Sequence, residues 1–470
     1  FLTHAVAKEK NLTAICMHHE QSAAFAAIAE AELSGKPAVC MVSTGCASTN
    51  TITGVLSAWQ DGIPAIFISG QNVLRETTRH TGSSIRTYGQ QEADIISLIH
   101  PITKYSVMIE DPSSIKEELE KAYQFAMEGR KGPVWLDIPL DLQSSTIIED
   151  DLGSYKTIAE TKIASDDEIK EVVDALKKSE RPVFLVGSGV KSCKAEAKLI
   201  KLIEKYKIPL TYTSSGADIY GSFNPLSIGS VGTMGCSRSG NFAVQNSDLL
   251  ISFGSRLTNL NTGPDFCKFA RDAKIICIDL DAKEHDKEGI DYDLFIESDI
   301  NFFLDKLNAN DLKVTNKSWI EKCSRWKEIF AIENAFKSDE KIDLYDFSKS
   351  LSESMNDKSC FVCDSGLIDV IMPTTMQFKK GQRCLHPVSQ GAMGYALPAA
   401  IGAYYGSGKL PVITVIGDGS IMMNIQEFET IRYNKIPLKV FVINNNAYAI
   451  IRKRQKELFR KRTIGTDDSN

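Results

Sequence analysis

Two short polar sequences, each at the end of an apolar run, carry the residue types best suited to chemistry. Gly417, Asp418 and Gly419 end the run PVITVIGDG, and Asn444–Asn446 end the run LKVFVINNN. Neighbouring parallel strands place their carboxyl ends together, so we expect Asp418 and Asn445 to face one another across a crevice. A carboxylate, an amide oxygen and a loop carbonyl are hard oxygen ligands that suit Mg²⁺, which usually completes its shell with water and phosphate.

The sequence around these motifs predicts the elements that position them. Both apolar runs are rich in Val and Ile, as buried strands are. Between them Ile425, Phe428 and Ile431 recur every three residues, which predicts a helix with these three side chains on one side. The N–H groups of Gly419 and Ser420 open that helix and are expected to hold phosphates. A Gly-Asp pair alone is most often a turn. Here, however, 24 residues separate the GDG from the first Asn pair, with a strand on each side.

This pattern resembles the signature of the thiamin-diphosphate (ThDP) enzymes, in which GDG is followed at about this spacing by NN. The resemblance implies that the side chains of Asp418 and Asn445 and the carbonyl of Ala447 bind the metal ion, Mg²⁺. The residues implied to contact the diphosphate lie in the same turn: Gly417, Gly419 and Ser420.

A second candidate site surrounds Glu20, in the sequence MHHEQSAAFAA at positions 17–27. Considered alone, Glu20 is explained as a charge that complements a helix dipole. The stretch is, however, similar to the HEQ-A-A motif of the acetolactate synthase group of ThDP enzymes, whose glutamate touches N1′ of the aminopyrimidine. A carboxyl group in an apolar pocket has a raised pKa and can share a proton with that ring. The resemblance therefore makes Glu20 the catalytic residue, and we expect His18 and His19 to shape the loop.

Further matches to this group extend along most of the chain. The sequence SQGAMGYALPAAIGA (389–403) resembles the segment that grips the aminopyrimidine. The match implies that the Gly391 carbonyl and the Met393 amide bind the ring and that the Met393 side chain bends the cofactor; the alternative for Met393 is an ordinary core residue. The sequence STGCASTNTITGV (43–55) resembles the loop that covers the site. In this group each site lies between two subunits, so Glu20 would serve a cofactor held by the partner chain.

The chain departs from the group at the substrate pocket. Gln90 replaces the phenylalanine usual before the Gln-Glu pair, which predicts a polar wall for the acceptor. The alternative is that Gln90 points to solvent at the loop edge. Cys46 and Ala47 replace Pro-Gly of the covering loop, and Leu367 replaces a glutamine that contacts the diphosphate. The candidate pocket residues are Gly45, Gln90 and Gln91.

FAD is a further candidate cofactor. Acetolactate synthases hold it in their central domain, near a strand followed by Gly-x-Arg. Here ISFGSRLTNLNTG (251–263) and IDLD (278–281) resemble that stretch. Two roles stay open for Arg256, which either binds FAD or caps a sheet edge.

Composition excludes several classes of protein. With 470 residues and 43% hydrophobic content, the chain can bury large cores and form about three domains. The net charge is −6, and no basic block suggests nucleic acid or an anionic membrane as a partner. No apolar run is long enough to span a membrane. The eleven cysteines are scattered, which favours a reducing cytoplasm. Cys360 and Cys363 form a CxxC, but its apolar setting predicts a buried strand rather than a zinc site.

Apolar strands, the first at residues 13–17 (TAICM), alternate with helical stretches throughout, which predicts α/β folding. The polar stretch 150–161 and a second stretch at 336–341 are the predicted linkers. Together with the resemblance, they predict three doubly wound parallel-sheet domains: a pyrimidine-binding domain at 1–149, a central domain at 160–335 and a diphosphate-binding domain at 342–470. We expect residues to be missing at both ends.

The resulting hypothesis is a ThDP- and Mg²⁺-dependent carboligase similar to acetolactate synthase, working as a homodimer or homotetramer. It would decarboxylate pyruvate and add the two-carbon unit to a second carbonyl. One alternative keeps the donor but uses a nucleotide keto-sugar as acceptor, since QNVLRETT and YGQQEADI resemble ThDP enzymes of surface-sugar pathways. Another is simple decarboxylation with release of an aldehyde. A non-catalytic regulatory relative would have no need to keep Glu20, Asp418 and Asn445 together.

Overall fold

The computed structural model describes residues 1–157, 160–312, 316–331, 341–460 and 462–466. By its internal contacts the chain divides into two compact units. One unit combines Phe1–Ala159 with Ser389–Ala447, and the other combines Glu160–Val388 with Tyr448–Asn470.

The N-terminal segment forms a four-stranded parallel sheet in the order β1-β2-β4-β3. Its strands are β1 (Ala38–Val42), β2 (Ala65–Gln71), β3 (Tyr105–Met108) and β4 (Pro133–Pro139). Its helices are α1 (Leu2–Lys8), α2 (Glu20–Ser34), α3 (Cys46–Asn50), α4 (Ile52–Asp61), α5 (Thr78–Thr81), α6 (Ile95–Ile99), α7 (Ile115–Met127) and α8 (Leu140–Gln143). Every residue of β4 is buried, as expected for an inner strand of a parallel sheet.

The middle segment forms a six-stranded parallel sheet in the order β10-β9-β8-β5-β6-β7. Its strands are β5 (Pro182–Val186), β6 (Leu210–Tyr212), β7 (Ser227–Ser230), β8 (Leu249–Phe253), β9 (Lys274–Asp279) and β10 (Leu294–Glu297). Its helices are α9 (Asp166–Lys178), α10 (Gly189–Ser192), α11 (Glu196–Tyr206), α12 (Arg238–Gln245), α13 (Asn259–Thr262), α14 (Ile300–Asn308) and α15 (Lys317–Ile329). Strands β5 and β8 are buried throughout, because helices flank the sheet.

The C-terminal segment contributes two parallel strand pairs, β11 with β12 and β13 with β14. Its strands are β11 (Cys360–Cys363), β12 (Arg383–Leu385), β13 (Val412–Gly417) and β14 (Lys439–Ile443). Its helices are α16 (Leu344–Ser354), α17 (Leu367–Thr375), α18 (Ala396–Gly406), α19 (Asp418–Ile421), α20 (Glu427–Tyr433) and α21 (Ala449–Leu458).

Helices α2 and α18 pack closely because both are rich in alanine and α18 also contains glycine. A Cβ added to Gly402 on α18 would lie 1.9 Å from the carbonyl oxygen of Ala26 on α2, so only glycine permits this approach. At the start of the same contact, Phe25 and Tyr395 meet edge to face with ring centroids 5.4 Å apart. The sequences EQSAAFAAIAEAELS and ALPAAIGAYYG thus form one helix pair inside the first unit.

The predicted fold class, three α/β domains with parallel sheets, is confirmed. The CxxC lies in β11 with both thiols buried, as the strand prediction required. The first linker is irregular from residue 152 to 157; residues 158–159, and the second linker as far as residue 340, lie outside the described residues.

One prediction about local structure is wrong, and one segment buries an unexpected side. Residues 13–17, expected to be a strand, form no strand, and most of them are exposed. On the segment after Asp418 the apolar side is not the buried one. Ile425 and Phe428 are exposed, and the residues just before each of them, Asn424 and Glu427, are buried. The reason is that the side chains of Asn424 and Glu427 are polar and hydrogen-bond to residues around the start of α2. Among the described residues no helix is long and apolar enough to cross a membrane.

Candidate active site

The Asp418 carboxylate lies where β13 and β14 end together. The two strands pair in parallel up to Gly417 and Ile443, so their polar exits are neighbours. One carboxylate oxygen of Asp418 accepts the N–H of Gly419 at 3.0 Å, and the other accepts the N–H of Asn446 at 2.8 Å. The second bond fixes the charged group against the asparagine turn, as the strand pattern predicted.

The asparagine turn presents further oxygen donors beside this carboxylate. Asn446 has a left-handed backbone (φ 52°), which asparagine adopts more readily than most residues. The side-chain oxygen of Asn445 accepts the N–H of Ala447 at 3.0 Å, which holds the amide over the turn. Carboxylate, amide and carbonyl oxygens fit a hard ion such as Mg²⁺. Gly417 and Gly419 are half-buried and Ser420 is buried around α19, which begins at Asp418.

Glu20 is the first residue of α2, and its surroundings fix both its backbone and its carboxylate. The side chain of His19 caps the helix by accepting the N–H of Gln21 at 3.1 Å. Asn50, the last residue of α3, donates its side-chain amide to the Glu20 carboxylate at 3.1 Å. The carboxylate therefore sits, half-buried, between the first turn of α2 and the end of the helix that follows Gly45.

The loop that contains Gly391 and Met393 meets the start of α2 through one side chain. Asn424 donates its amide to the Gly394 carbonyl at 2.8 Å and accepts the Ser22 hydroxyl at 2.8 Å. Gly391 is exposed and Met393 is half-buried. The helix of Glu20 and the loop implied to grip the aminopyrimidine are therefore held together inside the first unit.

The candidate pocket residues lie on two loops in contact. Gly45 has φ 69°, and a Cβ added there would lie 2.3 Å from the carbonyl oxygen of Gln91, so this position requires glycine. Gln91 is itself left-handed (φ 59°). Gln90 is exposed, and its carbonyl accepts the side-chain amide of Asn72 at 3.1 Å. The structure thus joins Gly45 to Gln91, while the polar wall made by the Gln90 side chain stays a prediction.

A buried network beneath these loops was missed by the sequence analysis. Asp137 on β4 accepts the Ser69 hydroxyl at 2.5 Å and the Gln71 amide at 3.0 Å, both on β2. Gln71 in turn accepts the hydroxyl of Thr44, next to Gly45, at 2.8 Å. Burial raises the pKa of Asp137 to about 6, against the lowering effect of its two hydrogen bonds. A carboxylate in the otherwise apolar sequence PVWLDIP was the available signal.

The residues proposed for FAD are engaged by the protein itself. Arg256 pairs with Glu284 at 3.8 Å, and its carbonyl accepts the Lys287 ammonium. The carboxylate of Asp279 accepts two backbone N–H groups of its own turn and lies 3.3 Å from His285. In this conformation the Arg256 and Asp279 side chains are held by the protein's own groups, which does not favour FAD.

The matches to family models follow the same three segments. A model described as the N-terminal TPP binding domain of thiamine pyrophosphate enzymes matches residues 2–98. The central domain of these enzymes matches residues 169–307, and their C-terminal TPP binding domain matches residues 364–470. The fold is that of an enzyme that uses thiamin diphosphate.

Curated relatives narrow the class. The acetolactate synthase large subunit of Cyanidium caldarium is 31% identical over 97% of this chain and 78% of its own length. A probable acetolactate synthase large subunit of Methanocaldococcus jannaschii is 33% identical over 94% of this chain and 75% of its own length. The acetolactate synthase isozyme 1 large subunit of Escherichia coli K12 is 30% identical over 96% of this chain and 78% of its own length. The chain belongs to the acetolactate synthase group of the thiamin-diphosphate-dependent enzymes.

Proposed function

We propose that this chain is a ThDP- and Mg²⁺-dependent carboligase that decarboxylates pyruvate and transfers the two-carbon unit to a second carbonyl. The observation that carries the proposal is the hydrogen bond between the Asn446 amide and the Asp418 carboxylate. It holds a charged oxygen at the turn that contains Asn445, and so assembles the donor set that a metal-bound diphosphate needs. We infer the reaction from the names of the relatives, which are acetolactate synthases.

Each predicted residue has a role in this proposal. Asp418, Asn445 and the Ala447 carbonyl would bind Mg²⁺. The turn residues that would contact the diphosphate are Gly417, Gly419 and Ser420. The Gly391 carbonyl and the Met393 amide would orient the aminopyrimidine, with the Met393 side chain beneath it. When bound, ThDP supplies a nucleophilic carbon and accepts the electron pair released with CO₂.

Glu20 would hold and return a proton at N1′ of the aminopyrimidine. Its position supports this role, because Asn50 orients one carboxylate oxygen while the backbone is fixed by the cap at His19. A positioned proton transfer of this kind is worth about 10²–10⁴ in rate.

Pyruvate is the acceptor we favour, since all three relatives named above are acetolactate synthases. The keto-sugar alternative rests on the resemblance of QNVLRETT and YGQQEADI to surface-sugar enzymes. The polar wall at Gln90 that would favour such an acceptor is not supported in this chain, because Gln90 is exposed. No relative named above supports that alternative or simple decarboxylation.

The test is a product assay with pyruvate, ThDP and MgCl₂. Carboligation of two pyruvates gives one acetolactate for each CO₂ released, and removal of Mg²⁺ by EDTA should stop both. Acetaldehyde in place of acetolactate would instead favour simple decarboxylation. A product that forms only when a keto-sugar nucleotide is added would favour the other alternative. Absence of CO₂ release under all these conditions would contradict the proposal.

We also propose that the chain self-associates and works in a reducing compartment such as the cytoplasm. Several large apolar side chains of the first unit are exposed, among them Met422, Ile425 and Phe428, as at surfaces that bind another chain. All eleven cysteines are free, as in proteins kept in reducing surroundings.

A further inference from the structure

The segment that follows Asp418 buries a polar stripe instead of its apolar one. Asn424, Glu427 and Thr430 recur every three residues and are 1%, 0% and 1% exposed, whereas Ile425 and Phe428 are 44% and 39% exposed. Burying a carboxylate is costly unless hydrogen bonds compensate for the lost water. Such a stripe therefore needs specific partners.

The partners of Glu427 lie on the chain that leads into Glu20. One carboxylate oxygen accepts the backbone N–H of His18 at 3.1 Å and that of His19 at 3.2 Å. The Thr430 hydroxyl donates to the other oxygen at 2.7 Å and also lies 3.0 Å from the Nδ1 atom of His18. The carboxylate thus fixes the backbone N–H groups of the two residues immediately before Glu20, and His19 is also the residue that caps α2.

The third member of the stripe, Asn424, links the start of α2 to the loop that contains Gly391 and Met393. Asn424 bonds to Ser22, two residues after Glu20, and to the carbonyl of Gly394. Glu20 is therefore bracketed on both sides by side chains of one short segment, which begins at the proposed metal ligand Asp418. If Glu20 only complemented the dipole of α2, the residues on both sides of it would not need to be held in this way.

We propose that Glu427 is a positioning residue for Glu20. By accepting the His18 and His19 amides it holds the start of α2 so that the Glu20 carboxylate reaches the ring gripped by the Gly391–Gly394 loop. The inference rests on the proposed function, in which Glu20 exchanges a proton with the aminopyrimidine. Glu427 itself transfers no proton.

The test compares Glu427→Ala and Glu427→Gln with a matched control, Glu429→Gln. Glu429 lies on the same helix, but it is exposed and pairs with Arg432. The first measurement is amide hydrogen exchange of the peptide that contains residues 18–21, in the protein without cofactor. We expect faster exchange in Glu427→Ala and wild-type exchange in the control.

The second measurement is exchange of the C2 proton of bound ThDP, with ThDP affinity determined in parallel. Misplacing a reacting group by about 1 Å costs on the order of 10²-fold, so Glu427→Ala should slow C2 exchange by about that factor. Its ThDP affinity should change by less than about tenfold, because the metal and diphosphate contacts remain. Glu427→Gln keeps an amide oxygen that accepts both N–H groups and should recover most of the rate.

Thr430→Val provides a second variant if Glu427→Ala does not fold. It keeps the shape of the side chain but removes the hydroxyl that holds Glu427, so a smaller loss in the same direction is expected. C2 exchange at the wild-type rate in Glu427→Ala or, failing that variant, in Thr430→Val would overturn the positioning role while leaving the proposed function intact. A wild-type protein that binds no ThDP would refute both, and amide exchange would still show whether Glu427 holds the loop.

Discussion

At the scale of single residues, we expect substitution of Asp418 to affect cofactor binding most, because Asp418 is the proposed metal ligand that carries a charge. We expect Asp418→Ala to abolish Mg²⁺-dependent ThDP binding without unfolding the protein. Loss of a charged contact to a metal-bound diphosphate should cost several kcal/mol, roughly a thousandfold in affinity. Titration calorimetry with ThDP and MgCl₂ measures the effect.

Asp167→Ala is the matched control for this measurement. Asp167 is an exposed aspartate in the first turn of α9, and it belongs to the other unit. An Asp418→Ala protein that binds ThDP as tightly as this control would refute the metal site. Circular dichroism of both variants checks that they remain folded.

Glu20 should behave differently, since its proposed role is in proton transfer rather than in holding the cofactor. Glu20→Gln keeps the side-chain shape and an oxygen that can accept the Asn50 amide. We expect ThDP to bind, while turnover of pyruvate falls by about 10²–10⁴, the usual worth of a positioned acid or base. Nuclear magnetic resonance of C2 proton exchange gives the decisive measurement, and a wild-type exchange rate in the variant would exclude the role.

The residues that carry proposed chemistry could be predicted from sequence, but those that position them could not. Asp418 and Asn445 stand at the ends of apolar runs, where strand geometry alone brings them together. Glu427 and Asn424 have no such marker, because a polar side chain on a surface segment and one buried against another loop look alike in sequence. Only their spacing of three residues hinted that they share a face.

At the scale of elements, Asp137 ties together three strands of the N-terminal sheet at the edge that bears the covering loop. It lies on β4, holds Ser69 and Gln71 on β2, and through Gln71 holds Thr44 just beyond β1. Asp94 raises the pKa of Asp137 further and Arg79 lowers it, but burial is the largest cause. The network therefore contains a carboxyl group that titrates near pH 6.

This titration predicts a pH dependence of stability. The folded pKa of about 6 lies above the ordinary aspartate pKa of 3.8, so the folded state binds the proton more tightly than the unfolded state. The stabilisation is complete below about pH 4 and is lost as pH rises through 6, amounting to about 3 kcal/mol at about 1.4 kcal/mol per pKa unit. Relative to Asp137→Asn, the wild-type protein should therefore lose stability between pH 4 and pH 7. Urea unfolding followed by fluorescence at several pH values measures the difference in unfolding free energy between the two proteins, with Asp141→Asn as the exposed control.

If the difference in unfolding free energy between the wild-type protein and Asp137→Asn stayed the same at every pH, Asp137 would not titrate in this range.

Elements were predicted well where a long apolar run fixed the strand and poorly where it did not. Strands β2, β5, β8, β9 and β13 follow from such runs. Strands β3, β7 and β10 have only four residues each, too few for a pattern to stand out. Residues 13–17 are apolar enough for a strand, but no neighbouring strand pairs with them, and an unpaired run gains no ladder of hydrogen bonds.

At the scale of the whole molecule, the open question is which chain supplies Glu20 to a given cofactor. In the described chain the start of α2 bonds to Asn424 and Glu427 of the same chain. Identical chains can exchange identical elements, so the same hydrogen bonds can also form between two copies. The resemblance to acetolactate synthases implies the second arrangement.

We therefore expect two inactive variants to restore activity when they share one oligomer. Glu20→Gln and Asp418→Ala, carried on separate chains with different tags, are co-expressed, and hetero-oligomers are purified through both tags. If each site takes Glu20 from one chain and Asp418 from the other, one of the two sites in a mixed dimer is intact. The mixed protein should then show about half of the wild-type turnover of pyruvate, by the symmetry of a two-fold dimer. If both residues of a site come from one chain, every site retains a defect, and the mixed protein will be as inactive as its parents. Hetero-oligomers of wild-type and Asp418→Ala chains supply the reference, because they contain one intact site per dimer under either arrangement.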